Sequence, residues 1–394
     1  MKPYLTLLLA LCTLSLTGQQ LWMSCPCATD LQSLDSELRK TPPFNVNRAA
    51  YLAALADAEA QVDGVTTDYD CYVLLNQLVL SLNDNHMRVY PAEGVTVTKP
   101  RLSASVDLDS LREALEGEDL NAIPGVYYGE NGLVVGVRPH PTRHAYQTII
   151  LESAASPNAA GYVYATNLPF GNGYLLSVTV NPASGRPSVY TERIENGFMR
   201  VAKYHKTPDH PRFYAADTVG GTYVRRELDE NTTYLRVSSF GTSMDMLNRA
   251  EAFYNSLDGT LTKPRLIVDL RRNTGGGRRN SRQFYDLLKG YAKKGEIALI
   301  VNHLTISNGE QFTQRVRELD NTKVYGDRTY GAIAYETPGG YRRLACARFQ
   351  LIPTHKKHVR FIKYESVGVE PDTYLSLERD WVEQVLELWD AEGE

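Results

Sequence analysis

The chain has 394 residues, of which 43% are hydrophobic and 22% charged, a balance typical of globular proteins. Its 42 Lys and Arg against 46 Asp and Glu give a net charge of −4, so the chain as a whole lacks the basic field expected for binding nucleic acid or an anionic membrane. The length is sufficient for two or three structural units and at least one full-sized core.

The N-terminus has the pattern of a secretory signal. Met1 and Lys2 give a positive start, residues 5–16 are almost wholly apolar, and the small residues Thr17 and Gly18 follow. Because this run is too short for a lasting transmembrane helix, we predict a signal peptide over residues 1–18. The protein is then exported to the periplasm or the extracellular space, with association with the outer envelope left open. A buried N-terminal helix is the weaker alternative.

Four cysteines remain after Cys12, which lies in the predicted signal: Cys25, Cys27, Cys71 and Cys346. Cys25 and Cys27 are too close in sequence to bridge each other easily, and no metal-type spacing of Cys and His is present. We therefore predict no disulfide framework, one bridge at most, no metal and no cofactor. A lipid on Cys25 is left open.

Residues 28–90 predict a helical segment. Asn47 can cap a helix that continues through Ala60, with Tyr51, Leu52, Leu55 and Ala56 on one face. A second helix is predicted from Asp68 to Leu82, since Val73, Leu74, Leu78 and Leu82 recur at helical spacing. It leads into the polar turn 83–86, which ends at His86.

Residues 100–215 predict an inserted β-rich unit with antiparallel strands. Short apolar runs over 132–137, 148–151 and 174–180 alternate with turns rich in Gly, Pro and Asn. Nothing in this unit indicates a ligand.

Residues 220–385 predict an α/β domain with parallel strands. Strands over 233–239, 265–271 and 297–301 alternate with helices over 244–257, 279–288 and 308–319. In such domains the sites form in the loops at the ends of the strands.

A serine follows the last of these strands, in the segment Thr305-Ile306-Ser307-Asn308-Gly309-Glu310. There the hydroxyl of Ser307 lies at the positive end of a helix, where free N–H groups can stabilise an oxyanion. Ser307 with Glu310 is also a capping box, and for this motif alone a helix cap is the commoner interpretation.

A glycine-rich loop ends the preceding strand, in the segment from Asp269 to Gly277 that reads Asp-Leu-Arg-Arg-Asn-Thr-Gly-Gly-Gly. Glycines let backbone N–H groups point into a cleft without an obstructing side chain. The alternatives are a plain turn or a phosphate loop, but the spacing of a nucleotide-binding motif is absent.

Together, several motifs in chain order resemble the C-terminal processing (tail-specific and tricorn-core type) serine peptidases. They are Asp-Leu-Arg-x-Asn-x-Gly-Gly, Thr-x-Ser-x-x-Glu, Val324-Tyr-Gly326 with Thr329-Tyr-Gly331, and Gly368-Val-Glu-Pro-Asp372. The resemblance covers about residues 220–380. It implies a crotonase-like (ClpP-like) core of ββα units and hydrolysis of peptide bonds.

The resemblance also assigns a site. The tail-specific branch carries a lysine where this chain has Ala332, so the Ser/Lys design is absent. Segments around His86 and Glu365 resemble those of the tricorn-like branch, which implies Ser307 as nucleophile, His86 as base and Glu365 as the carboxylate that orients the histidine. The implied oxyanion donors are the N–H of Asn308 and that of Gly275 or Gly276. Asn85, beside the histidine, is a supporting residue.

Competing residues are kept for comparison. His303 is the reserve base and Glu370 the competing carboxylate, whereas Asp269 and Arg271 are predicted to hold the strand end by an ion pair or by backbone hydrogen bonds.

The predicted function is that of an exported serine peptidase that acts on peptides or unfolded proteins, with no nucleic-acid partner and no transmembrane span. The sequence does not give an oligomeric state. The alternative is a catalytically silent family member that binds a peptide, a lipid or a protein partner. A crotonase-like acyl-CoA enzyme is disfavoured by the secretory signal and the serine motif.

Overall fold

The computed structural model describes residues 25–97, 102, 106–129, 132–170, 173–181, 184–209 and 220–392. The predicted signal peptide, residues 1–18, lies outside the described residues. Within the described part of the chain, none of the helices combines the length and the apolar character needed to cross a bilayer.

Four helices form the N-terminal layer: α1 (Cys27–Leu38), α2 (Pro42–Val46), α3 (Arg48–Val62) and α4 (Asp68–Leu80). Helix α4 begins where the Thr67 hydroxyl accepts a hydrogen bond from the Asp70 N–H at 3.0 Å, an N-cap of the usual kind. The predicted face of α3 is partly wrong. Tyr51 and Leu55 are buried, but Leu52 is 39% exposed, and Ala58 and Val62 complete the buried face.

Two disulfides hold this layer, so the prediction of one bridge at most is wrong. Cys25 pairs with Cys346 and Cys27 with Cys71, at Cα–Cα distances of 5.8 and 5.7 Å. Both distances are ordinary for disulfides. Sequence spacing could not reveal these pairs because the partners are 321 and 44 residues apart. The fold brings two distant cysteines to the start of α1.

The predicted β-rich unit contains helix α5 (Leu108–Leu115) and a closed antiparallel barrel. The barrel strands are β2 (Gly125–Gly129), β3 (Leu133–Pro139), β4 (Tyr146–Ser153), β5 (Val163–Phe170), β6 (Tyr174–Val180), β7 (Pro187–Glu195), β8 (Phe198–Met199) and β9 (Tyr204–His205). A short 3-10 helix, Pro157–Ala159, precedes β5. The barrel contacts the helical layer, since the Tyr69 hydroxyl donates to Val178 O at 3.1 Å.

A six-stranded sheet forms the third unit. Its order is β10-β11-β12-β13-β14-β19, parallel except for β10, which pairs antiparallel with β11. The strands are β10 (Tyr223–Glu227), β11 (Thr232–Val237), β12 (Arg265–Asp269), β13 (Glu296–Val301), β14 (Thr322–Gly326) and β19 (Thr373–Tyr374). The helices are α6 (Met244–Leu257), α7 (Arg278–Tyr291), α8 (Asn308–Arg317) and α9 (Trp381–Glu392).

Both faces of this sheet are buried, which explains the continuous apolar runs of its strands. Leu266 and Leu299 pack with Phe284 of α7 and Phe312 of α8, whereas residues of the opposite pleat, such as Ile267, pack with α9. The predicted α/β class is therefore confirmed. The finer crotonase-like arrangement of ββα units stays a prediction.

Short strands join the N-terminal layer to the late part of the chain. They are β1 (Arg88–Pro91), β15 (Tyr335–Glu336), β16 (Arg342–Arg343), β17 (Phe349–Ile352) and β18 (Lys356–Lys357), and a 3-10 helix over Val359–Tyr364 follows. Strand β1 pairs antiparallel with β17. Because β1 begins two residues after His86, this pairing brings the polar turn at 83–86 to the edge of the α/β unit.

Candidate active site

Ser307 lies in the turn between β13 and α8, one residue before the helix begins. Its backbone has φ 58° and ψ −121°, a conformation that residues with a Cβ rarely adopt. The capping box predicted from the sequence is present, and the Glu310 carboxylate accepts the Ser307 N–H at 3.0 Å. The cap and the catalytic interpretation are therefore compatible, because the capping box does not prevent the hydroxyl from making a second contact.

The second contact is with His86. Its Nε2 lies 3.0 Å from Ser307 Oγ, although the two residues are 221 positions apart. The turn before β1 holds the imidazole in place, since the His86 N–H donates to Asp84 Oδ1 at 2.8 Å. A serine hydroxyl at this distance can transfer its proton directly to an imidazole nitrogen.

The imidazole keeps 12% of its side-chain surface exposed and is uncharged near neutral pH. Burial, together with the positive charge of Arg88, lowers the pKa of His86 to about 4. Among the described residues, none accepts or donates a hydrogen bond at Nδ1, and Asp84 Oδ1 lies 3.9 Å away. That gap is about 1 Å longer than an N–H···O hydrogen bond.

Glu365 follows the 3-10 helix and lies beside this histidine, but it bonds to backbone groups. Its Oε1 accepts the Asn85 N–H at 2.8 Å, and its Oε2 accepts the N–H groups of Ile333 and Ala334 at 2.8 and 2.7 Å. Glu365 thus fixes the residue next to His86 and the loop after β14. No direct hydrogen bond between Glu365 and the imidazole is present among the described residues.

Asp84 is a member of the site to which the sequence analysis gave no role. Besides the His86 N–H, it accepts the Thr354 hydroxyl at 2.7 Å, and it is buried. Burial raises the pKa of Asp84 and of Glu365, and the charge of Asp84 raises the pKa of Glu365 further. The sequence contained a signal for this residue, since Asp84 lies two positions before His86, in the segment that resembles the tricorn-like branch.

Asp84, His86 and Glu365 also form a cluster of metal-ligand types. One side-chain ligand atom from each residue lies within 4.8 Å of those of the other two. The oxygens of both carboxylates already accept hydrogen bonds from the surrounding loops. We therefore assign these oxygens a structural role, because their hydrogen bonds hold the turn of His86 and the surrounding loops in place.

Asn85, predicted as a supporting residue, bridges two loops. Its amide donates to Gly331 O at 2.9 Å, and its oxygen accepts from Arg88 at 3.0 Å and from Thr191 of β7 at 3.3 Å. Its backbone N–H is the group that reaches Glu365. The side chain thus connects the turn of His86 to the barrel and to the loop after β14.

Glu310 has a larger part in the site than a capping residue. Its buried carboxylate accepts the Thr329 hydroxyl at 2.6 Å and the N–H groups of Gly331 and Ala332 at 2.7 and 2.9 Å, in addition to that of Ser307. Ala332 occupies the position at which the tail-specific branch has its lysine, and its backbone N–H donates to Glu310. The turn of Ser307 and the loop after β14 are held by one carboxylate.

Two backbone N–H groups near Ser307 are available for an oxyanion. Among the described residues, the N–H of Gly276 and that of Asn308, the first residue of α8, have no hydrogen-bond acceptor. The Gly275 N–H already donates to Asn273 Oδ1 at 3.0 Å, which favours Gly276 over Gly275. Gly275 supplies space instead, because a Cβ there would lie 2.8 Å from Ser307 Cβ.

The competing residues lie elsewhere. His303 is buried, with Nδ1 3.9 Å from Asp327, and Glu370 is exposed and paired with Arg328 at 2.6 Å. Asp269 and Arg271 form the predicted ion pair at the strand end, with a separation of 2.6 Å. In its chemistry, the site combines a hydroxyl, a neutral imidazole and two free N–H donors, the groups needed for acyl transfer.

Comparison with known protein families gives a match to one segment in the C-terminal half of the chain. Residues 277–375 match the model of peptidase family S41. The predicted resemblance to the C-terminal processing serine peptidases is thereby confirmed for this region, which is that of a serine-type peptidase. Ser307 and Glu365 lie within the matched residues, whereas His86 lies before them. No curated protein sequence matches the chain.

Solved structures similar to the chain include three peptidases. The photosystem II D1 C-terminal processing protease is 12% identical, over 89% of this chain and 93% of that one, with a TM-score of 0.37. The tricorn protease is 13% identical, over 93% of this chain and 37% of that one, with a TM-score of 0.45. A putative peptidase from Parabacteroides merdae is 12% identical, over 93% and 97%, with a TM-score of 0.40. Because all three scores are below 0.5, the family assignment rests on residues 277–375.

Proposed function

Since residues 277–375 carry a serine-type peptidase region of family S41, we propose that the chain hydrolyses peptide bonds through an acyl-enzyme formed on Ser307. The observation that carries the proposal is the 3.0 Å separation of Ser307 Oγ and His86 Nε2, next to the free N–H groups of Gly276 and Asn308. Peptides and unfolded proteins are the substrates.

The reaction follows from these groups. His86 Nε2 takes the proton of the Ser307 hydroxyl as the oxygen attacks the peptide carbonyl, and the two N–H groups stabilise the oxyanion. The imidazolium then gives its proton to the departing amine, which leaves an ester on Ser307. Water, deprotonated by the same imidazole, hydrolyses that ester and restores the hydroxyl. A neutral imidazole in the resting site is ready for the first step.

We assign the orienting role to two carboxylates that act in different ways. Asp84 is placed to accept a hydrogen bond from the Nδ1–H of His86 once the 3.9 Å gap closes, because it already fixes the backbone of that residue. Glu365 acts through Asn85 and the loop after β14 as a positioning residue. Glu365 thus keeps the orienting role expected from the sequence, but it acts through hydrogen bonds to backbone groups and not through a direct bond to His86.

Export and the division of the chain are parts of the same proposal. Two disulfides are typical of proteins that fold in an oxidising compartment, which supports the secretory interpretation of residues 1–18. The helical segment 28–90 contributes His86, the unit at 100–215 forms a wall beside Asn85, and residues 220–385 carry the nucleophile.

A fluorophosphonate probe tests the proposal, since it labels serines activated by a base. We expect labelling of the wild-type chain, loss of labelling in Ser307→Ala and His86→Asn, and full labelling in Ser243→Ala, which changes an exposed serine that caps α6. Hydrolysis of an unfolded protein should follow the same pattern. A wild-type chain that neither reacts with the probe nor cleaves the protein would favour the silent binding module.

A further inference from the structure

The cleft that contains Ser307 and His86 is strongly basic. It has a volume of about 1090 Å³, and its lining includes Arg278, Arg315, Lys356, Lys357 and Arg360, with Glu336 as the one carboxylate among the lining residues. These side chains give the lining an excess of four positive charges, although the chain as a whole has a net charge of −4. The positive charge is thus concentrated where a substrate would bind.

The single carboxylate does not neutralise this cluster. Glu336 is already engaged by Lys356 at 3.1 Å and by His358, and Arg360 pairs with Glu318. Within the described part of the chain, no acidic side chain forms an ion pair with Arg278, Arg315 or Lys357. Three cations therefore line the cleft without an ion-paired carboxylate, and Asp286 acts on Arg315 only from beyond ion-pair distance.

Two of these cations lie in places that are electrostatically unfavourable without an anion. The Tyr285 ring, whose centroid is 4.0 Å away, stabilises the Arg315 guanidinium, but burial and the charges of Arg278 and Arg360 outweigh this contact and the charge of Asp286 and lower the pKa of Arg315. Arg278 is the first residue of α7, a helix of 14 residues with no acidic residue in its first turn. The positive end of a helix normally favours anionic side chains. Such local conflicts are typical of residues kept for binding.

We propose, on the basis of the peptidase function above, that this cleft selects peptides with Asp or Glu side chains close to the cleaved bond, and that Arg278 and Arg315 are specificity-determining residues. A guanidinium presents paired N–H donors that match a carboxylate, and an anion between the two arginines would relieve their mutual repulsion. Lys357, in β18, adds positive charge to the same lining.

Matched peptides test this inference. We would compare quenched fluorescent peptides of one length that are blocked at both ends and share the same central residues. At each flanking position in turn, the series places Glu, Gln or Lys. The wild-type kcat/KM for the best Glu peptide should exceed that of its Gln counterpart about tenfold or more. The preference should shrink in added salt, since the charges are partly exposed. It should also disappear in the double variant Arg278→Gln and Arg315→Gln.

Arg282→Gln is the control, because this exposed arginine lies on the same helix but does not line the cleft. It should keep the preference unchanged. A neutral peptide with a free C-terminus, compared with its amide, separates recognition of the terminal carboxylate from that of side chains. A preference confined to the free C-terminus, or one that survives in the double variant, would overturn the inference.

Failure of the peptidase proposal gives a different result. Binding of the labelled Glu and Gln peptides to Ser307→Ala, followed by fluorescence anisotropy, does not require turnover. Tighter binding of the Glu peptide without hydrolysis by the wild type would support the selectivity and refute the peptidase. Hydrolysis of Gln and Glu peptides at equal rates, with equal binding, would refute the selectivity alone.

Discussion

The backbone of Ser307 offers a test of whether this residue serves catalysis or only caps α8. Its φ of 58° and ψ of −121° store strain that a helix cap does not need, since the N-cap of α6, Ser243, has φ −60° and ψ 153°. Glycine can adopt the conformation at 307 without a Cβ clash, whereas alanine cannot. The paired variants Ser307→Gly and Ser307→Ala therefore differ mainly in whether the strain is released.

The size of the effect follows from comparison with Ser243. A residue held in such a conformation costs about 1–3 kcal/mol. At an ordinary N-cap, replacement by alanine costs about 0.5–2 kcal/mol and replacement by glycine a few tenths. At each position, the free energy of unfolding of the glycine variant is compared with that of the alanine variant. The difference in favour of glycine should be larger at 307 than at 243 by about 1–3 kcal/mol. Both variants at 307 lose the hydrogen bond to His86, so this term cancels in the comparison.

Chemical denaturation of the four variants and the wild type measures the free energies of unfolding, and peptide turnover is followed on the same samples. Both variants at 307 should lose hydrolysis by several orders of magnitude, and both at 243 should keep it. Equal differences between glycine and alanine at the two sites would refute the strain argument. Substantial turnover in either variant at 307 would refute the assignment of the nucleophile.

Three further outcomes are expected. Because burial lowers the pKa of His86 to about 4, the acid limb of kcat/KM should lie near pH 4, and a limb near pH 6.5 would contradict this. The same shift removes stability as pH falls from about 6.5 to 4, since the unfolded histidine binds its proton first. Glu365→Gln should lose activity, and a denaturant titration should show its free energy of unfolding lowered by about 1–3 kcal/mol, because an amide cannot accept all three N–H groups. The control Glu370→Gln loses an exposed ion pair, so its free energy of unfolding should change by less than about 1 kcal/mol. Replacing Cys27 and Cys71 by serine should lower the free energy of unfolding by about 2–4 kcal/mol, and an unchanged denaturation midpoint would argue against that bridge.

The sequence predicted elements well where the hydrophobic pattern was strong. The strand at 174–180 and the helix at 244–257 were predicted with the bounds that the structure has. The face of α3 was predicted less well, because its many alanines do not distinguish a buried side from an exposed one. Closure of the barrel was not predicted, since it depends on pairing between β2 and β9, far apart in the chain.

The candidate site shows the same division between local and distant information. The motifs led to Ser307 and His86, which the structure brings within 3.0 Å. The contacts of Asp84 and the backbone bonds of Glu365 were not predictable, because they depend on side-chain directions in loops from three parts of the chain. The choice of Gly276 over Gly275 likewise required the hydrogen bond from Gly275 to Asn273.

The separation of His86 and Ser307 by 221 residues has a consequence for biosynthesis. A growing chain carries the histidine long before the nucleophile has been translated, and Glu365, which fixes Asn85, follows 280 residues after that asparagine. Fragments that end before the α/β unit is complete therefore contain no working arrangement of these groups. Under the proposed function, the enzyme remains latent during its own synthesis and gains activity only when its two halves have folded together.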